Sequence, residues 1–76
     1  MKEMLKMLVN DLVDNPDEIE ITEKEEGKTT TLELRVAPSD MGKVIGKQGK
    51  IAKAIRVLMK AYAVKENKRI DVEIIG

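Results

Sequence analysis

The sequence predicts a single α+β domain in which three β-strands are covered on one face by three helices, in the order α-β-β-α-α-β. The length supports one domain, since 76 residues fall below the roughly 100–150 that one folding unit commonly contains. The composition, 42% apolar and 37% charged residues, is typical of a globular chain rather than a disordered tail. Apolar residues recur at helical spacing in two segments and with a period of two in three others. We therefore expect residues 1–76 to form one domain.

The chain is predicted to begin with a helix and a strand. Residues 2–14 carry apolar side chains at helical spacing, and Asn15-Pro16 ends this pattern. The apolar positions of this helix are Met4, Leu5, Leu8, Val9 and Leu12. The segment from Glu18 to Thr22 then alternates polar and apolar side chains, which is typical of a half-buried strand.

A turn and a second strand are predicted next. The turn spans Glu25 to Lys28, where Gly27 can adopt a positive φ without a steric penalty. From Thr29 to Val36 the polar and apolar side chains alternate again. The side chains expected to face the core are Leu32, Leu34 and Val36. The two strands are therefore expected to form an antiparallel hairpin.

Two helices and a last strand complete the predicted order. Pro38 ends the second strand, and Ser39 is the predicted N-cap of a short helix that runs through Val44-Ile45. A longer helix is predicted from Lys50 to about Lys65, and the alternation from Arg69 to Ile75 predicts the third strand. The side chains expected to pack inward are Ile51, Ala54, Ile55, Leu58 and Tyr62 from the long helix, and Ile70, Val72 and Ile74 from the strand.

The composition argues against several classes of function. The chain contains no cysteine and no histidine, which removes the usual nucleophile, general base and transition-metal ligands. We therefore expect no enzymatic activity, no metal, no cofactor and no small-molecule substrate. No apolar run approaches the ~20 residues of a membrane span, and the first residues lack the apolar centre of a signal peptide. The expected location is the cytoplasm, without membrane attachment.

The net charge of zero conceals two oppositely charged halves. Residues 1–38 carry five basic and ten acidic side chains, a net charge of −5, whereas residues 39–76 carry nine basic and four acidic ones, a net charge of +5. From Met41 to Lys65 there are seven basic side chains and no acidic one. This segregation favours a polyanion or an acidic surface as partner, although a solvated basic helix face would produce the same pattern.

The most informative motif is the pair Gly46 and Gly49, between the two predicted central helices. Glycine lets another backbone approach closely, and the N–H groups at the start of the following helix attract phosphate. Lys43, Lys47 and Lys50 add positive charge at the same point. The motif therefore predicts a loop that binds a sugar–phosphate backbone. The alternative is a tight turn with Gly46 as a helix C-cap, which leaves Gly49 and the lysines unexplained.

The same residues resemble a known signature. The segment from Val44 to Ile51, V-I-G-K-Q-G-K-I, is similar to the I-G-x-x-G-x-x-I signature of KH domains, and the element order is similar to their type II arrangement. The whole chain resembles the small bacterial proteins of the KhpA family, which consist of a single KH domain. The resemblance implies a type II KH fold over residues 1–76 and a cytoplasmic RNA chaperone or post-transcriptional regulator. It also implies a homodimer, or pairing with a larger KH-containing partner, KhpB.

The resemblance further implies a site for single-stranded RNA. A KH domain clamps about four nucleotides, with its loop on the backbone. The RNA-binding residues implied are Lys43, Val44, Ile45, Gly46, Lys47, Gln48, Gly49, Lys50 and Lys53. Val44 and Ile45 are expected to form the apolar side of a groove opposite the strand at Leu34–Val36, with a core position as the alternative for Ile45. Tyr62, the single aromatic residue, is expected to pack in the core rather than stack on a base.

Three further hypotheses follow from the sequence. Val57, Met59, Ala63 and Val64 fall outside the predicted inward stripe of the long helix, so some of them are expected to form a dimer contact that places two loops on one particle. The chain is alternatively an assembly module with little affinity for RNA. Binding of single-stranded DNA is the other alternative, because a loop that holds phosphates does not by itself detect a 2′-hydroxyl group.

Overall fold

The computed structural model of the protein describes residues 1–75 and contains the predicted elements in the predicted order. The helices are α1 (Lys2–Asn10), α2 (Met41–Ile45) and α3 (Lys50–Lys65), and the strands are β1 (Glu20–Glu26), β2 (Thr29–Arg35) and β3 (Arg69–Ile75). Single turns of 3-10 helix lie at Pro16–Glu18, Pro38–Asp40 and Lys47–Gly49. Within residues 1–75, no helix has the length and apolar character needed to cross a membrane.

The three strands form one mixed sheet with β2 in the centre. β1 and β2 are antiparallel, as predicted for a hairpin, and β3 lies parallel to β2 on its other side. The parallel pairing requires a crossover, and α2 and α3 provide it, because they lie between β2 and β3 in the chain. β3 is consequently an edge strand of the described sheet, with one side free of any strand partner.

The core lies between the helices and one face of the sheet. Leu32 and Leu34 of β2 are fully buried, and Ile70 and Val72 of β3 are almost so, which confirms the predicted alternation. The helical side chains that pack against them are Leu5 and Val9 of α1, Val44 of α2, and Ile55, Met59 and Ala63 of α3. The opposite face of the sheet carries polar and charged side chains such as Glu33 and Asp71, which alternate with the buried residues along β2 and β3.

The inward side of α3 differs from the prediction. The buried residues are Ala52, Ile55, Met59 and Ala63, whereas the predicted stripe was Ile51, Ala54, Ile55, Leu58 and Tyr62. Each buried residue other than Ile55 lies one position after a predicted one, which corresponds to a rotation of the helix by about 100°. The pattern could not distinguish the two orientations, because α3 carries apolar residues on two of its sides. Met59 and Ala63 are therefore core residues, not candidates for a dimer contact.

The hairpin is longer at its tip than the sequence indicated. β1 begins at Glu20 rather than Glu18 and continues to Glu26, because it pairs with β2 along its whole length, up to Glu26 opposite Thr29. The turn therefore shrinks to two residues, Gly27 and Lys28, and Gly27 has the positive φ that was expected, +61°.

Two helix ends also differ from the prediction. α1 ends at Asn10 rather than near residue 14. Ser39 is not the N-cap of α2, because it lies inside the 3-10 turn and α2 begins only at Met41. Asp40 precedes α2 instead, and its side chain makes no capping bond to the helix.

Candidate nucleic-acid interface

The first glycine of the loop ends α2 and is enclosed by α3. Gly46 has φ of 74° and ψ of 176°, a conformation that is essentially restricted to glycine. Its N–H donates to the carbonyl oxygen of Gly42 over 2.9 Å, which closes the last turn of α2. A Cβ atom placed on Gly46 would lie 2.6 Å from Cγ1 of Ile51. Both the backbone conformation and the packing of Ile51 therefore require glycine here.

The second glycine begins α3 and is open to solvent. Gly49 has φ of 75° and ψ of 15°, a left-handed conformation, and a Cβ atom placed on it would have no neighbour within 4 Å. The preceding residue, Gln48, is left-handed as well, with φ of 58°, which is uncommon for a residue other than glycine. Two consecutive left-handed residues turn the chain sharply, so that α3 begins immediately after the loop. The space beside Gly49 is left open to a ligand.

No side chain caps the start of α3, although the N–H of Lys50 already donates to the carbonyl oxygen of Lys47. Gly49 occupies the N-cap position and has no side chain to accept hydrogen bonds from the helix, and the first turn of α3 contains no acidic residue. The first N–H groups of a helix lack partners within the helix and carry the positive end of its dipole. The side chains of Lys47, Lys50 and Lys53 are exposed around this point. The structure thus brings four predicted site residues, including Gly49, to one positively charged helix start.

Lys43 is engaged differently from the other predicted lysines. Its Nζ atom forms ion pairs with the carboxylates of Asp14 and Asp40, the second over 3.3 Å. The hydrogen bond to Asp14, and then that to Asp40, raises the pKa of Lys43 above its ordinary value. Its charge is therefore partly neutralised by two carboxylates, one of them buried, although Lys43 itself remains exposed beside the loop.

Asp40 is the buried centre of this contact. Its carboxylate accepts hydrogen bonds from the backbone N–H groups of Asp14 and Asn15 over 3.2 and 3.0 Å, and from the Asn15 side chain over 3.1 Å. Burial alone would raise the pKa of Asp40, but these bonds and the bond from Lys43 together lower it below its ordinary value. The ionised carboxylate fastens the segment after α1 to the start of α2, and so helps to position the loop.

The predicted apolar wall of the groove is only partly present. Val44 and Leu34 are fully buried in the core, so their side chains cannot line a groove. The prediction failed for these residues because an apolar residue beside a loop can face either the core or solvent. Ile45 is 37% exposed, which excludes the alternative of a plain core position and places an apolar side chain next to Gly46.

Arg56 is a residue of this region that the sequence did not single out. Its Nε–H donates to the carbonyl oxygen of Val72 over 3.2 Å, so its guanidinium lies beside the edge strand β3. The available signal was the spacing of Lys53, Arg56 and Lys60, which places three basic side chains along one flank of α3. We call the boundary between this flank and β3 the α3–β3 seam.

The fold and the loop together define a class of protein, the KH domain. A helix, a tight loop with glycine at its first and fourth positions, and a second helix connect two parallel strands, β2 and β3. The added helix and strand at the beginning of the chain, α1 and β1, correspond to the type II arrangement that the sequence predicted.

Comparison with known proteins specifies the family. The family model described as "KhpA/KhpB, KH domain" matches residues 2–74, and the chain therefore belongs to this family. It is 60% identical over 75 residues to a protein of Clostridium acetobutylicum, covering 99% of this chain and 100% of that protein. Relatives from Caldanaerobacter subterraneus subsp. tengcongensis and Clostridium perfringens are 57% and 53% identical, each over 99% of this chain and 100% of their own length. All three are named RNA-binding protein KhpA.

Proposed function

We propose that this protein binds single-stranded RNA by gripping the backbone of about four nucleotides with the loop Gly46–Gly49 and the start of α3. The observation that carries the proposal is the N-terminus of α3, which no side chain caps and which lies beside an open glycine and among exposed lysines. The names of the relatives support RNA as the ligand. The family resemblance supports a role as an RNA chaperone or post-transcriptional regulator in the cytoplasm.

The start of α3 and the lysines around it contribute to RNA binding in different ways. The N–H groups at the start of α3 donate hydrogen bonds to a phosphate, and the open side of Gly49 lets the phosphate approach them. Lys47, Lys50 and Lys53 contribute charge that attracts the rest of the backbone. Stacking of bases on aromatic rings contributes nothing, since Tyr62 is the only aromatic residue and it is half-buried on α3. Binding by one copy is therefore weak and strongly dependent on salt.

The test is a titration of a short, unstructured RNA pool by fluorescence anisotropy at several salt concentrations. The variant Lys47→Asp/Gln48→Asp keeps both glycines and places negative charge where the phosphate sits. We expect it to lose most of the binding. The matched control is Lys6→Asp/Asn10→Asp, which makes the same charge change at exposed positions of α1. The circular dichroism and melting temperature of both variants must match those of the native protein.

Each outcome of this titration has a meaning. Selective loss in the loop variant supports the clamp, whereas equal binding by all three proteins, or by none, contradicts it and favours an assembly module. A parallel titration with single-stranded DNA of the same sequence tests the other alternative. If DNA binds as tightly as RNA, the ligand is single-stranded nucleic acid in general.

A second proposal concerns the assembly, and it is carried by an apolar stripe on the outer face of α3. Val57, Leu58 and Val64 are 66%, 50% and 75% exposed, although they are large apolar residues. Ala54 and Ala61 lie between them and are exposed as well, so another helix could approach closely. We propose that this stripe binds a second copy of the chain or a KhpB-like partner. Two loops on one particle would compensate for the weak binding of each.

Sedimentation equilibrium of the native protein tests this assembly. We expect a dimer at high micromolar concentration, and a monomer for Val57→Lys/Val64→Lys. The control is Met7→Lys, which also replaces an exposed apolar residue by lysine but lies on α1, and which should leave the dimer intact. A native protein that is monomeric at these concentrations contradicts the homodimer.

A further inference from the structure

The strand at the other edge of the sheet, β1, has a free side. Within residues 1–75, β1 pairs with β2 alone. The two-residue turn makes Glu26 and Thr29 the hydrogen-bonded pair that closes the hairpin. Bonded pairs alternate along an antiparallel ladder, so the backbone N–H and C=O groups of Ile21, Glu23 and Glu25 point away from β2. Such a row of backbone groups is a template for another extended chain.

The helices leave the second half of β1 uncovered. In the register of the hairpin, Glu23 lies opposite Leu32, and Glu25 lies opposite Thr30. Residues that lie directly opposite each other in a ladder share a face of the sheet. Leu32 and Thr30 are buried, whereas both glutamates are exposed, so the helices cover this face at β2 but not at β1. An added strand therefore has room along β1 without displacing a helix.

The charge of β1 restricts what can pair with it. The strand carries four glutamates and one lysine, a net charge of −3. Lys24 points to the outer face, where its Nζ atom lies 3.6 Å from Oε2 of Glu33. Glu25 lies 3.9 Å from Nζ of Lys68, an exposed ion pair that is weak and can be exchanged. A nucleic acid would be repelled, and a second copy paired antiparallel through the same edge would set glutamates against glutamates. A basic chain is the complementary partner.

A hollow beside the first half of β1 adds an apolar contact. It has a volume of about 410 Å³ and lies between the start of α1 and the strand. Ile19 and Ile21 line it and are half-buried, and the exposed residues Lys2 and Lys6 lie on its α1 side. The two lysines disfavour a basic residue in the hollow. The hollow therefore suits an apolar side chain, whereas the glutamates further along β1 suit basic ones.

We infer that β1 binds an extended basic segment of another protein, which joins the sheet as an additional strand antiparallel to β1. Antiparallel pairing is the more stable of the two arrangements. The partner places basic side chains opposite Glu25 and Glu23 and an apolar side chain opposite Ile21, in the hollow. Its sequence pattern is consequently basic-x-basic-x-apolar. This inference goes beyond the proposed function and does not rest on RNA binding, because it concerns the edge of the sheet remote from β3.

The experiment titrates the isotopically labelled protein with the peptide T-R-T-R-T-L-T, and NMR measures the affinity and the hydrogen exchange of each backbone amide. The control peptide has the same sequence but carries N-methyl groups on both arginines and the leucine. These methyl groups block antiparallel pairing with β1 and keep the charge. The test variant is Glu23→Lys/Glu25→Lys. The matched control is Asp11→Lys/Glu66→Lys, which makes the same charge change at exposed positions outside the sheet. Both variants must melt at the native temperature.

The expected result is protection of alternate amides of β1. Exchange should slow at Ile21, Glu23 and Glu25, whose N–H groups point to the free side. It should stay unchanged at Thr22 and Lys24, which are already bonded to β2. The test variant should lose roughly 10-fold or more in affinity for the peptide, since two ion pairs are replaced by repulsions. The control variant should bind like the native protein, and the N-methylated peptide should not bind.

Four results would overturn the inference. The first is that the peptide does not bind, and the second is that the protected amides lie outside β1. The third is equal binding of the N-methylated peptide, and the fourth is an equal loss in the two variants. Either of these last two would show that net charge attracts the peptide and that no strand is added. RNA is absent from this titration, so none of these results affects the proposed clamp, and a failure of the clamp leaves the inference about β1 standing.

Discussion

The two sides of the glycine loop look alike in sequence but are built in opposite ways. Each side has a glycine followed one position later by a lysine, in Gly46-Lys47 and Gly49-Lys50. On the α2 side the loop is in contact with other parts of the protein. Ile51 packs against Gly46, and Lys43 forms ion pairs with two carboxylates. On the α3 side it is open, since Gly49 faces empty space and the lysines are exposed. One side therefore fixes the position of the loop, and the other is available to a ligand.

Substitution of the enclosed glycine should have the largest effect. Gly46→Ala places a methyl group 2.6 Å from Ile51 and forces alanine into a conformation that favours glycine. We expect a loss of about 3 kcal/mol or more in the free energy of unfolding, a large share of the ~5–15 kcal/mol of a whole domain. Urea denaturation measures it. Native-like stability of this variant would contradict the close packing of Ile51 against Gly46 on the α2 side.

Substitution of the open glycine should act on binding more than on stability. Gly49→Ala meets no neighbouring atom, so only the left-handed backbone opposes it, at about 1–2 kcal/mol. The added methyl group also narrows the approach to the start of α3. We expect RNA binding, measured where the variant is fully folded, to fall by more than it falls for Gly42→Ala. Gly42 is the matched control, because it too has open space at its Cβ position, and its φ is not positive.

The buried carboxylate on the α2 side should produce a smaller effect that depends on pH. The pKa of Asp40 is lowered in the folded protein, so its stabilising contribution is present above the ordinary carboxyl pKa and is lost as the pH falls through the folded value. Asp40→Asn should therefore be less stable than the native protein at neutral pH, and the two should converge in acid. Thermal unfolding between neutral and strongly acidic pH tests this. A constant difference across that range would show that the charge of Asp40 is not involved.

The smallest expected effect is a difference between Lys50 and Lys43 in their contribution to the salt dependence of RNA binding. Lys50→Gln should reduce the salt slope of RNA binding by ~0.7, the contribution of one phosphate contact to a single strand. Lys43→Gln should leave the slope unchanged, because Lys43 is paired with Asp14 and Asp40. Anisotropy titrations over a range of salt measure both slopes. Equal reductions would mean that RNA displaces the carboxylates from Lys43.

The sequence predicted those parts of the structure that depend on neighbouring residues. The glycine pair, the lysines around it and the alternation of β2 and β3 are local patterns, and the element order followed from them. The orientation of α3 was not predictable, because Leu58 and Met59 satisfy the helical spacing equally well and only the shape of the core selects between them. The pairing of Lys43 with Asp14 joins residues 29 positions apart, and no local pattern indicates such a contact.

The crossover between β2 and β3 also has a consequence for the rate of folding. Thr29 and Arg69 pair side by side although they are 40 positions apart in the chain, and the glycine loop lies inside that connection. Contacts between distant residues form slowly, because the intervening chain must first lose its conformational freedom. The glycine loop reverses the chain within this connection, so that α2 and α3 both pack over the sheet. The residues proposed to hold RNA thus lie on the path by which the chain returns from β2 to pair β3 with it.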